Sequence, residues 1–136
     1  MKYILVLFVV ALVACKSSVD SPIAAPSLEK ATVVTYENMN VADFASSIKS
    51  SNSVVLDVRT PEEISGGSIE NSLALDFYED DFAEQLLAMD KSQDYYIYCK
   101  GGGRSAKTCR LMIKNGFTKV HNLDGGYKAW KKEMVE

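Results

Sequence analysis

The sequence predicts an α/β fold built on a parallel β-sheet, and three observations carry that expectation. From Ala31 onward, short β-branched or aromatic runs alternate with segments of helical periodicity. One run, Ser53-Val54-Val55-Leu56-Asp57-Val58, is nearly continuous in apolar residues, as a strand covered on both faces must be. The helical segments between the runs are long enough to act as crossovers, which join successive strands in parallel and with a right-handed connection.

The elements follow in order. Thr32-Val33-Val34-Thr35-Tyr36 is the first expected strand. Val41, Phe44, Ala45 and Ile48 then recur at i, i+3, i+4 and i+7, an amphipathic helix with Asn40 as its N-cap. After the strand at 53–58 comes a short one, Leu73-Ala74-Leu75. A helix from Asp81 to Met89 follows, in which Phe82, Leu86 and Met89 share a face behind Asp80 and Asp81. Acidic residues suit a helix N-terminus. Tyr95 to Tyr98 is the next strand, followed by a glycine loop, a helix from about Arg104 to Asn115 and Gly116 as its C′ residue. Val120 to Leu123 forms the last strand, and Asp124-Gly125-Gly126 turns into a terminal helix holding the only tryptophan, Trp130. No internal repeat is visible.

Composition narrows the function. The chain has 136 residues, 15 Lys+Arg against 18 Asp+Glu, a net charge of -3, 47% hydrophobic residues and three cysteines. That is one domain. The acidic balance and the absence of a basic stripe exclude a nucleic-acid surface. Three cysteines without a C-x-x-C pair make neither a disulfide scaffold nor a metal knuckle, so no metal site is expected.

Cys15 ends an apolar run from Tyr3 to Ala14 that follows Lys2. Twelve residues fall short of the roughly 20 that span a bilayer and fit a signal-peptide core instead. Leu12-Val13-Ala14-Cys15 resembles a bacterial lipobox. The expected organisation is a lipoprotein signal peptide at 1–14, a tether at 15–30 and the folded domain at 31–136. Cys15 would be lipidated and hold the protein to a membrane at the cell envelope, facing the periplasm or the exterior. The tether, rich in Ser, Pro and Ala, lacks hydrophobic periodicity.

The stretch with chemistry in it is Cys99-Lys100-Gly101-Gly102-Gly103-Arg104-Ser105. A cysteine leaves the carboxyl end of an expected parallel strand, where open α/β sheets bind ligands. Glycines let successive N–H groups turn inward as an anion nest, and the helix that starts next adds its own free N–H groups. With Lys100 and Arg104 alongside, the thiol should ionise below its free value of about 8.5. Ser105 reads as an N-cap.

These residues resemble the C-x-x-G-x-R-S loop of rhodanese-like domains. Leu56-Asp57-Val58-Arg59-Thr60-Pro61-Glu62-Glu63 is similar to the family's upstream signature, and Gly116-Phe117, Val120, Leu123, Gly125-Gly126 and Trp130 to its C-terminal one. The resemblance implies a three-layer α/β/α domain around the parallel sheet and a sulfurtransferase without a cofactor. Cys99 would carry the sulfur, and the N–H groups of Lys100 to Ser105 would cradle it. Arg104 and Lys100 would draw in a small sulfur-donor anion such as thiosulfate, and a thiol or cyanide would accept the sulfur, with the protein a monomer. Four residues separate Cys99 from Arg104, one fewer than in related phosphatases, which favours sulfur over phosphorus chemistry.

Other residues carry less. Asp57 and Arg59 are expected to support the loop through a buried ion pair or hydrogen bonds. Ser68 stands where many relatives have histidine. His121 reads as a surface or packing residue, Cys109 as helix packing too far from Cys99 to bridge, and Asp90, Lys91, Tyr95 and Tyr127 as surface or rim. Competing readings are a persulfide-carrying or partner-binding module without turnover, and a thiol redox or phosphatase-type enzyme.

Overall fold

The computed structural model describes residues 35–50 and 52–135. The leader, Cys15, the tether and Thr32 to Val34 lie outside them. Five parallel strands form one sheet: β1 (Glu37–Met39), β2 (Ser53–Asp57), β3 (Leu73–Ala74), β4 (Asp94–Tyr98) and β5 (Val120–Leu123), in the spatial order β1-β5-β4-β2-β3. The helices are α1 (Val41–Ser47), α2 (Pro61–Ser65), α3 (Phe82–Leu87), α4 (Gly103–Lys114) and α5 (Gly126–Met134).

Alternation along the strands makes two cores. Leu56, Val58, Tyr95, Ile97 and Cys99 join Phe82 and Leu86 of α3 and Cys109 and Met112 of α4. Val55, Tyr96 and Tyr98 point the other way and join Val41 and Phe44 of α1, with Tyr127 and Trp130 of α5 packed against them. Helices therefore cover both sheet faces, the three-layer α/β/α arrangement. Phe44 ties the second layer together, meeting Tyr96 edge-on at 5.6 Å and Trp130 at 6.2 Å.

Of the expected strand Thr32 to Tyr36, Thr32 to Val34 lie outside the described residues, and Thr35 and Tyr36 are not in a strand; the first strand among the described residues starts later. It is Glu37–Met39, beyond the β-branched run. Cross-strand partners decide the matter: Glu37, Asn38 and Met39 pair in register with His121, Asn122 and Leu123. Asn122 Nδ2 donates to Asn38 Oδ1 at 2.8 Å, and His121 Nδ1 lies 3.0 Å from Glu37 Oε2. At a sheet edge, such pairs outweigh residue propensity. Asn40 caps α1 as expected, accepting the Asp43 N–H at 2.9 Å.

α2 was not anticipated. Pro61 opens it, and Thr60 and Glu63 form a reciprocal capping box, Thr60 Oγ1 accepting from Glu63 N and Glu63 Oε2 from Thr60 N. Tyr95 is a second correction: it is 2% exposed, packs on Phe117 at 5.5 Å and donates its hydroxyl hydrogen to Asp90 O. As part of the two-sided central strand β4, it cannot lie at the rim.

Strand order fixes where the loops open. From β1 the chain steps toward β2 and β3, then returns through β4 to β5, so the connections after β2 and β4 diverge. These two strands are neighbours, with Asp57 opposite Tyr98. The crevice outside their carboxyl ends is the switch point at which such sheets bind ligands.

Candidate active site

Cys99 directly follows β4 at this crevice and is 2% exposed. Its sulfur lies against the loop and the first turn of α4. Gly102 N–H donates to Sγ at 3.1 Å, and the Ser105 hydroxyl lies 3.4 Å away. Ser105 is thus not the N-cap: Gly102 holds that position in the left-handed region at φ 94°, and Ser105, one turn in, is fully buried against the sulfur.

The cradle is shaped from behind. Tyr127 N–H donates to Cys99 O at 2.7 Å, and Lys128 N–H to Lys100 O at 3.1 Å. Because a trans peptide holds its C=O and N–H opposed, pinning those two carbonyls on α5 turns the N–H groups of Lys100 and Gly101 the other way. The close contact needs glycine. A Cβ on Gly126 would collide with Cys99 O and lie 2.8 Å from the nitrogens of Gly101 and Gly102. Gly102 is confined by its positive φ and by Gly125 N, whereas Gly101 and Gly103 face open space.

Burial pushes the Cys99 thiol up, but hydrogen bonds from the Ser105 hydroxyl and from the N–H groups of Ser105, Gly101 and Gly102 outweigh it and hold the thiol below its ordinary value. The source is therefore hydrogen bonding more than the flanking cations. Arg104 turns to Glu63, Nη2 lying 2.7 Å from Oε2 and 2.8 Å from Oε1, and Tyr78 covers its guanidinium at 5.5 Å. Lys100, 61% exposed, has its ammonium 4.0 Å from Glu63. Burial raises the Glu63 carboxyl, while Arg104, the Thr60 N–H and Lys100 together hold it below the usual range.

Asp57 and Arg59 form the expected buried pair at 2.6 Å, both under 4% exposed. Arg59 also donates to Glu63 O and Gly67 O, so it clamps α2 and the following loop onto the end of β2. Its guanidinium lies 4.1 Å from the Tyr127 ring. Ser68 is exposed, and neighbours hold this loop: Ile69 N–H donates to Tyr98 Oη at 3.1 Å, and Ser72 Oγ lies 3.0 Å from the same hydroxyl. Desolvation pushes the Tyr98 phenol up to about 12, so it stays protonated.

His121 stacks on Tyr96 at 4.6 Å, a packing contact as expected. Cys109 is buried and unbridged, its thiol pushed up to about 12 by desolvation. Residues overlooked as parts of the site are Glu63, Tyr78 and Tyr98, while Tyr127, read as surface or rim, is half-buried with its ring against the Arg59 guanidinium. Glu63 had a readable signal in the spacing Thr60-x-x-Glu63, and Tyr127 in its place just after the paired glycines. Tyr78 had none, because an exposed aromatic in a loop looks like any other.

Beside the cysteine loop lies an open cleft of about 430 Å³, bounded by Arg59, Glu63, Lys100, Tyr127, Lys128 and Lys132, among others.

Known proteins resemble this chain in sequence and fold. The family profile described as Rhodanese-like domain matches residues 40–133. A sulfurtransferase of Allochromatium vinosum is 35% identical over 77 residues, 57% of this chain and 70% of the relative. The thiosulfate sulfurtransferase GlpE of Stutzerimonas stutzeri is 28% identical over 87 residues, covering 64% and 78%. Among solved structures, a rhodanese-related protein from Thermoplasma volcanium superposes with a TM-score of 0.65 at 31% identity, covering 74% of this chain and 96% of that one. With its matching segment, its parallel three-layer fold and its cysteine loop at the switch point, this chain belongs to the rhodanese-like domain family.

Proposed function

We propose that the protein is a sulfurtransferase that moves a sulfane sulfur from a donor such as thiosulfate to a thiophilic acceptor through a persulfide on Cys99. The observation that carries this reading is the buried Cys99 sulfur, hydrogen-bonded by Gly102 and Ser105 at the mouth of an inward-facing N–H loop. The thiolate attacks the donor's outer sulfur and forms a new S–S bond. The donor's own S–S bond breaks, and sulfite leaves with its electron pair. The donors of the loop are fixed before the reaction starts, so they stabilise the charge without reorganising. An acceptor then attacks the outer sulfur, and Cys99 departs as the thiolate. Neither step needs a general base on Cys99, since the thiol already ionises readily.

Thiocyanate release from thiosulfate and cyanide tests this. The wild type should turn over and Cys99→Ser should not. A wild type that releases no thiocyanate and gains no sulfur contradicts the reading.

We further infer an envelope location, with Cys15 as the lipidated residue. The sequence Leu12-Val13-Ala14-Cys15 behind a short apolar run supports it. Labelled palmitate should enter the wild type and leave the membrane fraction empty in Cys15→Ser. Unlabelled, fully soluble wild type would refute it.

A further inference from the structure

The cysteine loop and the start of α5 satisfy each other's backbone. Gly125, the N-cap of α5, has no side chain that could accept a hydrogen bond, and the helix's own ladder begins with Ala129 N–H donating to Gly125 O. The N–H groups of Tyr127 and Lys128 are left over, as at any helix start. They donate to Cys99 O at 2.7 Å and to Lys100 O at 3.1 Å. The loop thus caps α5, and whatever fixes the first turn of α5 also fixes the loop.

The half-buried side chain of Tyr127 supplies that fixing. Its ring lies 4.1 Å from the Arg59 guanidinium, within cation–π range, and 6.0 Å from the ring of Tyr98, the residue before Cys99. Arg59 is itself immobilised: it is 2% exposed, pairs with Asp57 and donates to Glu63 O and Gly67 O. The hydroxyl end of Tyr127 lies against Gly67, where a Cβ would come within 2.6 Å of Oη. Arg59 therefore seats the ring and Gly67 stops its tip, both from the segment that follows β2.

Resting on Cys99 as the nucleophile of the sulfurtransferase reading, we propose that Tyr127 is a positioning residue: its ring, seated on Arg59, sets the first turn of α5 and thereby aims the Gly101 N–H at the Cys99 sulfur. The Lys100 carbonyl and the Gly101 N–H belong to one trans peptide. With the carbonyl drawn to Lys128 N–H, the Gly101 N–H points the opposite way. It is one of the donors that hold the thiol below its ordinary value. Removing the ring leaves each of these donors in place, because all of them are backbone groups, and loosens only their direction.

The test uses the full chain in detergent as wild type, Tyr127→Leu and Tyr127→Phe. The rate of Cys99 alkylation by iodoacetamide is measured across pH, with the label located by peptide mass, and the fluorescence of Trp130, the only tryptophan, reports folding. The midpoint for Tyr127→Leu should move to higher pH, so that at a fixed pH below the wild-type midpoint the rate falls about threefold to tenfold. Tyr127→Phe keeps the ring on Arg59 and should restore the wild-type midpoint. A merely structural role would lower stability in urea and leave the midpoint of the folded protein where it was. If Tyr127→Leu fails to fold, Tyr127→Met takes its place, since it fills the space without a flat face. An unchanged midpoint in the folded variant, or a shift in Tyr127→Phe equal to that in Tyr127→Leu, overturns the proposal. Alkylation uses no sulfur donor, so a shifted midpoint in a protein whose wild type releases no thiocyanate would support the positioning role and refute the sulfurtransferase reading.

Discussion

At the scale of single residues, the Cys99 thiolate depends on donors that can be removed one at a time. Ser105→Ala deletes the hydroxyl at 3.4 Å and leaves the backbone donors in place. The pH profile of Cys99 alkylation by iodoacetamide should then move toward higher pH, because burial continues to raise the thiol while one lowering contact is gone. Glu63→Gln keeps a side chain that can serve the capping box but removes the negative charge facing Arg104 and Lys100. The KM for thiosulfate should fall about threefold, in line with the release of one partly exposed ion pair; an increase would mean that Glu63 is needed to orient Arg104. Cys99 and its loop could be singled out in the sequence because a cysteine, glycines and an arginine at fixed spacing are a local pattern. The roles of Glu63 and Ser105 could not, since each depends on what the fold brings opposite: Glu63 lies 41 positions from Arg104.

At the scale of elements, the decisive unit is the β4–α4 loop resting on the start of α5. Glycine positions that look alike in sequence differ here. Gly126→Ala should cost about 2–4 kcal/mol in urea denaturation, combining a positive φ of 59° with a collision against the cysteine loop. Gly101→Ala meets open space and should stay within about 1 kcal/mol of wild type. Equal losses at the two positions would contradict this account of the cradle. Strands β2, β4 and β5 and helix α4 were legible because apolar runs and helical periodicity are written locally. The edge strand β1 was not, because polar residues in it are held by partners on β5. Nor was α2, a five-residue helix with no buried residue and hence no apolar stripe. Its capping box was the available sign.

At the scale of the whole molecule, the order β1-β5-β4-β2-β3 makes one crevice and delivers to it the loops following β2 and β4. The Asp57–Arg59 pair at its floor joins β2 to α2 and the loop beyond. Asp57→Asn should lower stability by about 3–5 kcal/mol, since it leaves a buried guanidinium without its counter-charge. Cys99 links stability to pH. Its folded pKa lies below the ordinary value, so its contribution is absent at low pH, grows as pH rises through the folded pKa, and is complete above the unfolded one. The stability of wild type relative to Cys99→Ser should therefore rise with pH across that window.

The central claim, that Cys99 carries the sulfur, has a direct measurement. The protein is incubated with thiosulfate under non-reducing conditions and its intact mass and peptide masses are recorded. The account predicts a gain of one sulfur atom, located on the peptide that contains Cys99, with Cys109 unmodified behind its buried, un-ionised thiol. Cys99→Ser should gain nothing. No added sulfur on the wild type, or added sulfur that persists in Cys99→Ser, would contradict it.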